Sequence, residues 1–308
     1  MKFNSSLTRL LTATVIVAGL FVVSCKKESS QTGTPAEKQE FAAATAESDA
    51  EADLVFDDVF DNVMGVNNEV AIGGTGVFAG SANNSGSGSG EYINGANQRD
   101  TLTCFTVAFT QLSPPNRFPL QVTIDFGAGC TDRRGITHKG KIIITYSGPL
   151  FIPGNSATTT FDGYYVNDIH VEGTHKVTNQ STQDKRVFRI VVTGAKLSKP
   201  NGNFSQWNSE KTLSQVEGLG TPFMPLDDVF TVTGGAGGSV KRGDKFFQWS
   251  TQIKEPLVKK FICRWVSKGI IVLRKSNETV AELDYGTGQC DNKATLTVNG
   301  QTIEITLH

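Results

Sequence analysis

Cysteine is scarce in this chain of 308 residues, with five copies, and histidine is scarcer, with four. His138, His170, His175 and the terminal His308 show no H-E-x-x-H spacing, and no paired C-x-x-C accompanies them, so they read as isolated surface histidines rather than zinc ligands. Charge of one sign is also lacking: 29 basic residues stand against 30 acidic ones. That balance gives no basic surplus for nucleic acid. No apolar run reaches the roughly 20 residues that cross a bilayer as a helix. There is no G-x-S-x-G elbow, and no Walker or dinucleotide glycine loop precedes a helix. The adjacent acids Asp57-Asp58 and Asp227-Asp228 do not form a glycosidase pair, which needs carboxylates facing across a cleft. Neither a catalytic constellation nor a cofactor motif is legible.

What the chain does have begins at its first residues. Lys2 and Arg9 precede an uncharged run, Leu10 to Ser24, in the order of an export signal. The run ends Val22-Val23-Ser24-Cys25, followed by Lys26-Lys27. A branched apolar residue, a small residue and a cysteine resemble the lipobox of bacterial lipoproteins. The resemblance implies a signal peptide over residues 1–24, cleavage before Cys25, and diacylglycerol on the Cys25 thiol. Each buried methylene contributes roughly 0.8 kcal/mol, and two or more chains make a lasting anchor. Removal of residues 1–24 takes away Lys2 and Arg9 and no acid. That leaves 27 basic residues against 30 acidic, a net charge of −3.

Residues 25–47 are charged, rich in Ala, Ser and Thr, and nearly without large apolar groups. Such a stretch predicts a flexible tether. Residues 48–308 predict one β-rich domain with a short N-terminal helix. Ser48-Asp49-Ala50-Glu51 matches a capping box, and Val55, Phe56, Val59, Phe60 and Val63 share one face. The spacing predicts a helix over about 49–64, stopped by Gly65. Asp57, Asp58 and Asp61 lie off that stripe and read as a solvated face rather than a calcium site. Residues 79–91, AGSANNSGSGSGE, predict a loop. From about Leu102 the period becomes two, as in Leu120, Val122, Ile124 and Phe126, or Ile303, Ile305 and Leu307. Asn299-Gly300 and Ser276-Asn277 each separate two such runs and predict hairpins. The fold class is all-β: an antiparallel meander, as a curved sheet or a sandwich, built from repeated hairpins.

Two internal repeats sharpen this. Asp125-Phe126-Gly127-Ala128-Gly129-Cys130 returns as Asp284-Tyr285-Gly286-Thr287-Gly288-Gln289-Cys290, within units 104–146 and 263–307. Cys104 lies 26 residues before Cys130, and Cys263 lies 27 before Cys290. Of the three pairings open to four cysteines, only Cys104–Cys130 with Cys263–Cys290 keeps each bridge inside its repeat. Loops of that size give roughly 3–4 kcal/mol per bridge in the chain-entropy model. The second repeat joins Val192-Thr193-Gly194 to Phe204-Ser205-Gln206-Trp207, and Val232-Thr233-Gly234 to Phe246-Phe247-Gln248-Trp249. Trp207 and Trp249 fit either an exposed platform for a sugar or packing inside the sheet.

The lipobox at Cys25, TIDFGAGCTDRRG, GKIIITY, FDGYYVNDIHVEGTHKVTN and the ending LDYGTGQCDNKATLTVNGQTIEITL together resemble a family of lipoproteins of unassigned activity common in Bacteroidota. The resemblance implies a Gram-negative envelope location, lipid-anchored at the outer membrane, and no activity. The leading expectation is a non-enzymatic binding or structural role, with a glycan or an envelope protein as partner and the membrane reached through lipid. The alternative is an envelope hydrolase, directed at glycans or esters, whose site is assembled from distant residues.

Overall fold

Helix α1 (Pro35–Ile72) opens on a capping box at Thr34, not at Ser48. The Glu37 carboxylate accepts from the Thr34 amide at 2.7 Å, and the Thr34 hydroxyl accepts from the Glu37 amide at 3.3 Å. Pro35 takes the first helical position, where its missing N–H costs nothing. The predicted helix over 49–64 therefore lies inside a longer one, and the predicted tether over 25–47 is corrected from Pro35 onward. Phe41, Ala42, Ala44 and Ala46 are buried there. The small side chains that suggested a tether are strong helix formers, and they let the helix approach the sheet closely. Gly65 does not stop the helix. The computed structural model describes residues 34–72, 105–131, 135–221 and 227–307, with helix side chains described as far as Met64. The predicted loop at 79–91 lies outside these residues.

The strands form one sheet. In chain order they are β1 (Thr106–Ser113), β2 (Asn116–Asp125), the two-residue β3 (Cys130–Thr131), β4 (Thr137–Tyr146), β5 (Ser156–Val166), β6 (Ile169–Asn179) and β7 (Val187–Ser198). There follow β8 (Phe204–Glu217), β9 (Val229–Arg242), β10 (Lys245–Lys260), β11 (Lys268–Lys275), β12 (Glu278–Thr287), β13 (Lys293–Val298) and β14 (Gln301–Thr306). Every long strand pairs antiparallel with its neighbour in sequence, and β3 adds a short rung to β4. This is the expected meander, as a single open sheet. The predicted turns hold. Ser276 and Asn277 have φ of 49° and 72°, and Asn299 and Gly300 have 51° and 77°, the pair of positive values that a two-residue hairpin needs. The first repeat is one turn built twice. Asp125 Oδ1 accepts the Gly127 amide at 2.8 Å, and Asp284 Oδ1 accepts the Gly286 amide at 2.8 Å.

One face of the sheet carries Val122, Ile124, Ile142, Ile144, Val177, Leu197, Leu213, Leu257, Leu273, Leu283 and Leu296, all buried. Helix α1 lies on that face and touches β6 and β8 through β13. At β4 the Tyr146 hydroxyl donates to the Val63 carbonyl at 2.8 Å. The sheet thus curls around one helix, and the core sits between them. Phe41, Phe56, Phe60, Phe188, Phe230 and Trp207 fill it with ring contacts of 5.5–6.4 Å.

Candidate functional site

Asp49, Asp53, Asp57 and Asp61 recur at every fourth residue of α1 and so form one stripe along it. The stripe faces Lys211 of β8 and Lys259 of β10. The Lys211 ammonium donates to Asp53. That of Lys259 lies 3.1 Å from Asp57 Oδ1 and 3.4 Å from Asp61 Oδ1. Burial works against the Lys259 charge, but Asp57 and Asp61 outweigh it and hold the group up to about 12. Burial pushes the Asp49 carboxyl up to about 6, against the pull of Lys211 and of the Trp207 indole N–H, which donates to it at 2.8 Å. Burial, helped by the Lys259 charge, holds the His175 imidazole down to about 3. Outside this ladder, Glu47 meets Arg242 at 2.8 Å, Glu51 meets Lys199 at 2.8 Å, and Glu40 meets Lys245.

These groups dock the helix. The spaces beside them measure about 20 and 30 Å³, room for a water or two and not for a substrate. Two expectations are corrected by this arrangement. The acidic trio is not a solvated face: Asp57 and Asp61 turn toward a buried lysine. His138 and His175 are not at the surface: they are 5% and 0% exposed. His138 Nδ1 pairs with the Tyr164 hydroxyl at 2.9 Å, and His175 stacks on Phe56. Among the described histidines His170 is the one that stays half-exposed, on the same face as Glu172, 3.8 Å away.

The tryptophans resolve to the second of their two readings. Trp207 is 1% exposed and Trp249 5%. Both stand opposite Gly238 of β9, in the cross-strand row Ala195–Trp207–Gly238–Trp249. Small residues alternate with large ones, which lets two indoles lie under the helix. A Cβ on Gly238 would sit 1.9 Å from the Gln206 carbonyl oxygen, so Gly238→Ala is expected to cost about 1–3 kcal/mol in urea unfolding. A loss below about 0.5 kcal/mol would show that the neighbouring strand yields freely.

A cleft of about 470 Å³ opens beside Met64. Leu150, Phe151, Phe188 and Leu219 supply its apolar wall, and the segment Ser181 to Arg186 its polar one. Among the described residues it brings together no pair of carboxylates and no histidine.

The outer face is different in kind. Lys139 of β4 stands opposite Tyr165 of β5, which stands opposite His170 of β6, then Ser198 of β7, Phe204 of β8, Lys241 of β9 and Phe246 of β10. Directly opposed residues share a face, so seven strands contribute to one outward row. The Lys139 ammonium sits 5.3 Å from the Tyr165 ring, and that of Lys196 sits 5.5 Å from Phe204. The Tyr165 and His170 rings are 4.7 Å apart, Phe204 and Phe246 6.5 Å. Phe246 is 54% exposed. The signal for these residues lay in the second repeat, whose Phe204 and Phe246 point outward while its tryptophans point in.

The Cys263–Cys290 bridge is formed. Cys130 is disulfide-bonded, and Cys104, the partner that the repeat assigns to it, lies outside the described residues, as do the lipidation residue Cys25 and His308. No family model, curated protein or solved structure matches the chain.

Proposed function

We propose that the chain is an envelope lipoprotein, lipid-anchored through Cys25 at the outer membrane, which binds a partner on the outer face of its sheet and does not turn it over. One observation carries the reading: the outward row from Lys139 to Phe246, rings and cations but for Ser198, on the face opposite the one that α1 covers. The buried acids and lysines support it from the other side. In the ladder each is engaged in seating α1, a structural employment that leaves them aimed at each other.

Two measurements test this. Cells fed labelled fatty acid should label the full chain and send it to the detergent phase, whereas Cys25→Ala should stay unlabelled and in the aqueous phase. Equal behaviour of the two refutes the anchor. The purified protein should leave glycosidase, esterase and peptidase substrates unchanged. Turnover abolished by one Asp, Glu or His substitution overturns the binding role.

A further inference from the structure

We infer that the outer row is a track for an anionic, carboxylate-bearing polysaccharide lying across the strands. This rests on the binding role proposed above and adds the chemical class and the footprint. The row crosses six inter-strand gaps, about 29 Å along the sheet at about 4.8 Å per gap. That is the length of an oligosaccharide segment and not of a single small molecule. Its three exposed or half-exposed rings, Tyr165, Phe204 and Phe246, present flat apolar surface with no core to fill. Such rings stack on the apolar faces of sugars.

Charge then selects the class. Lys139 and Lys241 lie in the row and Lys196 one step behind it, beside the rings, and no carboxylate stands in the row itself. Lys199, Lys211, Arg242, Lys245 and Lys259, on the inner face, each pair with an acid of α1. Among the described residues no acid forms an ion pair with Lys139, Lys196 or Lys241. The inner cations are matched within the fold; on the outer face Lys196 stands opposite Glu172, which also lies 3.8 Å from His170, and Lys139 and Lys241 are the cations offered to a ligand.

A second row completes the site. Glu172, Lys196, Gln206, Ser239 and Gln248 stand opposite one another on the same face. Ser239 donates to Gln206 Oε1 at 3.0 Å. Amides at this position offer both donors and acceptors to sugar hydroxyls. The outer face therefore carries the three recognition elements of a charged sugar polymer side by side: rings, cations and amides. A nucleic acid would demand a wider basic surface, and the chain as a whole is nearly neutral.

The test is affinity electrophoresis of the detergent-solubilised full chain, in gels containing polygalacturonate or neutral dextran. Retardation by polygalacturonate is expected, weakening as salt rises, with none by dextran. The variants Phe204→Ser/Phe246→Ser and Lys139→Gln/Lys241→Gln should each weaken it at least tenfold. Both pairs sit on the exposed face, and an unchanged thermal midpoint shows that each variant is folded. Equal retardation by dextran overturns the anionic class and leaves the binding role standing. Retardation unaffected by either double variant overturns the site. No retardation by polygalacturonate, or binding to anionic phospholipid vesicles in its place, overturns the inference. The labelling and turnover measurements then decide separately whether the broader reading survives.

Discussion

Replacing Lys259 with methionine should cost the fold about 3–5 kcal/mol, the usual consequence of removing one partner from a buried ion pair. Lys259 is 4% exposed and sits between Asp57 and Asp61, with its ammonium 5.5 Å from the Phe60 ring. Methionine keeps the stem packed, so the loss isolates the charge. Two acids would then face the sheet without that cation, and the helix can relieve them only by taking up protons or lifting away. Urea unfolding at pH 7.5 measures the loss. Adding Asp57→Leu and Asp61→Leu should recover most of it, because exchanging a whole buried ionic group for apolar side chains is often neutral or better. A Lys259→Met loss below about 1 kcal/mol would mean that the ladder does not hold the helix.

The second large effect is one of pH, and two buried groups drive it in opposite directions. Asp49 takes up its proton near pH 6 in the fold, against 3.8 in the unfolded chain. The folded state therefore gains stability as pH falls across that window, by about 3 kcal/mol at about 1.4 kcal/mol per pH unit. His175 takes up its proton near 6.5 when unfolded and only near 3 when folded. Its contribution is intact above 6.5 and is lost at about 1.4 kcal/mol per unit as pH falls below it. Between pH 6 and 4 the two nearly cancel. Asp49→Asn keeps an oxygen for the Trp207 N–H and removes one side of the balance. Its stability relative to the parent should change by about 3 kcal/mol between pH 8 and pH 4, with the variant favoured at the alkaline end. His175→Phe should shift by a similar amount between pH 7.5 and 4.5, with the variant favoured in acid. Thermal or urea unfolding across that range checks both. A pH-independent offset for either variant would remove that residue from the balance.

Much of the architecture was legible because it depends on spacing within one strand or turn. Asn299-Gly300 demands positive φ at both residues whatever surrounds it. Leu120, Val122 and Ile124 announce a strand with one buried face, and the repeat around Asp125 and Asp284 announces a shared turn. What stayed hidden depends on parity and on long-range register. Phe204 and Trp207 are three residues apart, so they must point to opposite faces, but nothing local says which face the helix will cover. The outer row needs seven strands aligned, and irregular registers between β5 and β6, and between β7 and β8, lie along the way. No single stretch of sequence contains that information. The helix was half-read for a related reason. Its first turns bury alanines, whose hydrophobic signal is weak, and its acidic stripe looks solvent-facing until Lys211 and Lys259 are brought to it.

The meander also has a bearing on how the chain is put together. Pairing each long strand with its neighbour in sequence lets a chain that emerges from its amino end add to the sheet hairpin by hairpin. The helix is the exception. It is made before any of the strands, yet its partners come late: Lys211 lies 158 residues beyond Asp53. Until β8 and β10 have arrived, Asp53 and Asp57 have not met their lysines, although β4 and β6 already bring Tyr146 to Val63 and His175 to Phe56. The ion-pair ladder is therefore completed by the far part of the chain, after the earlier strands have begun to cover the helix. A truncation within β10 ahead of Lys259 would leave the helix lying on β6, β8 and β9 with Asp57 deprived of its lysine.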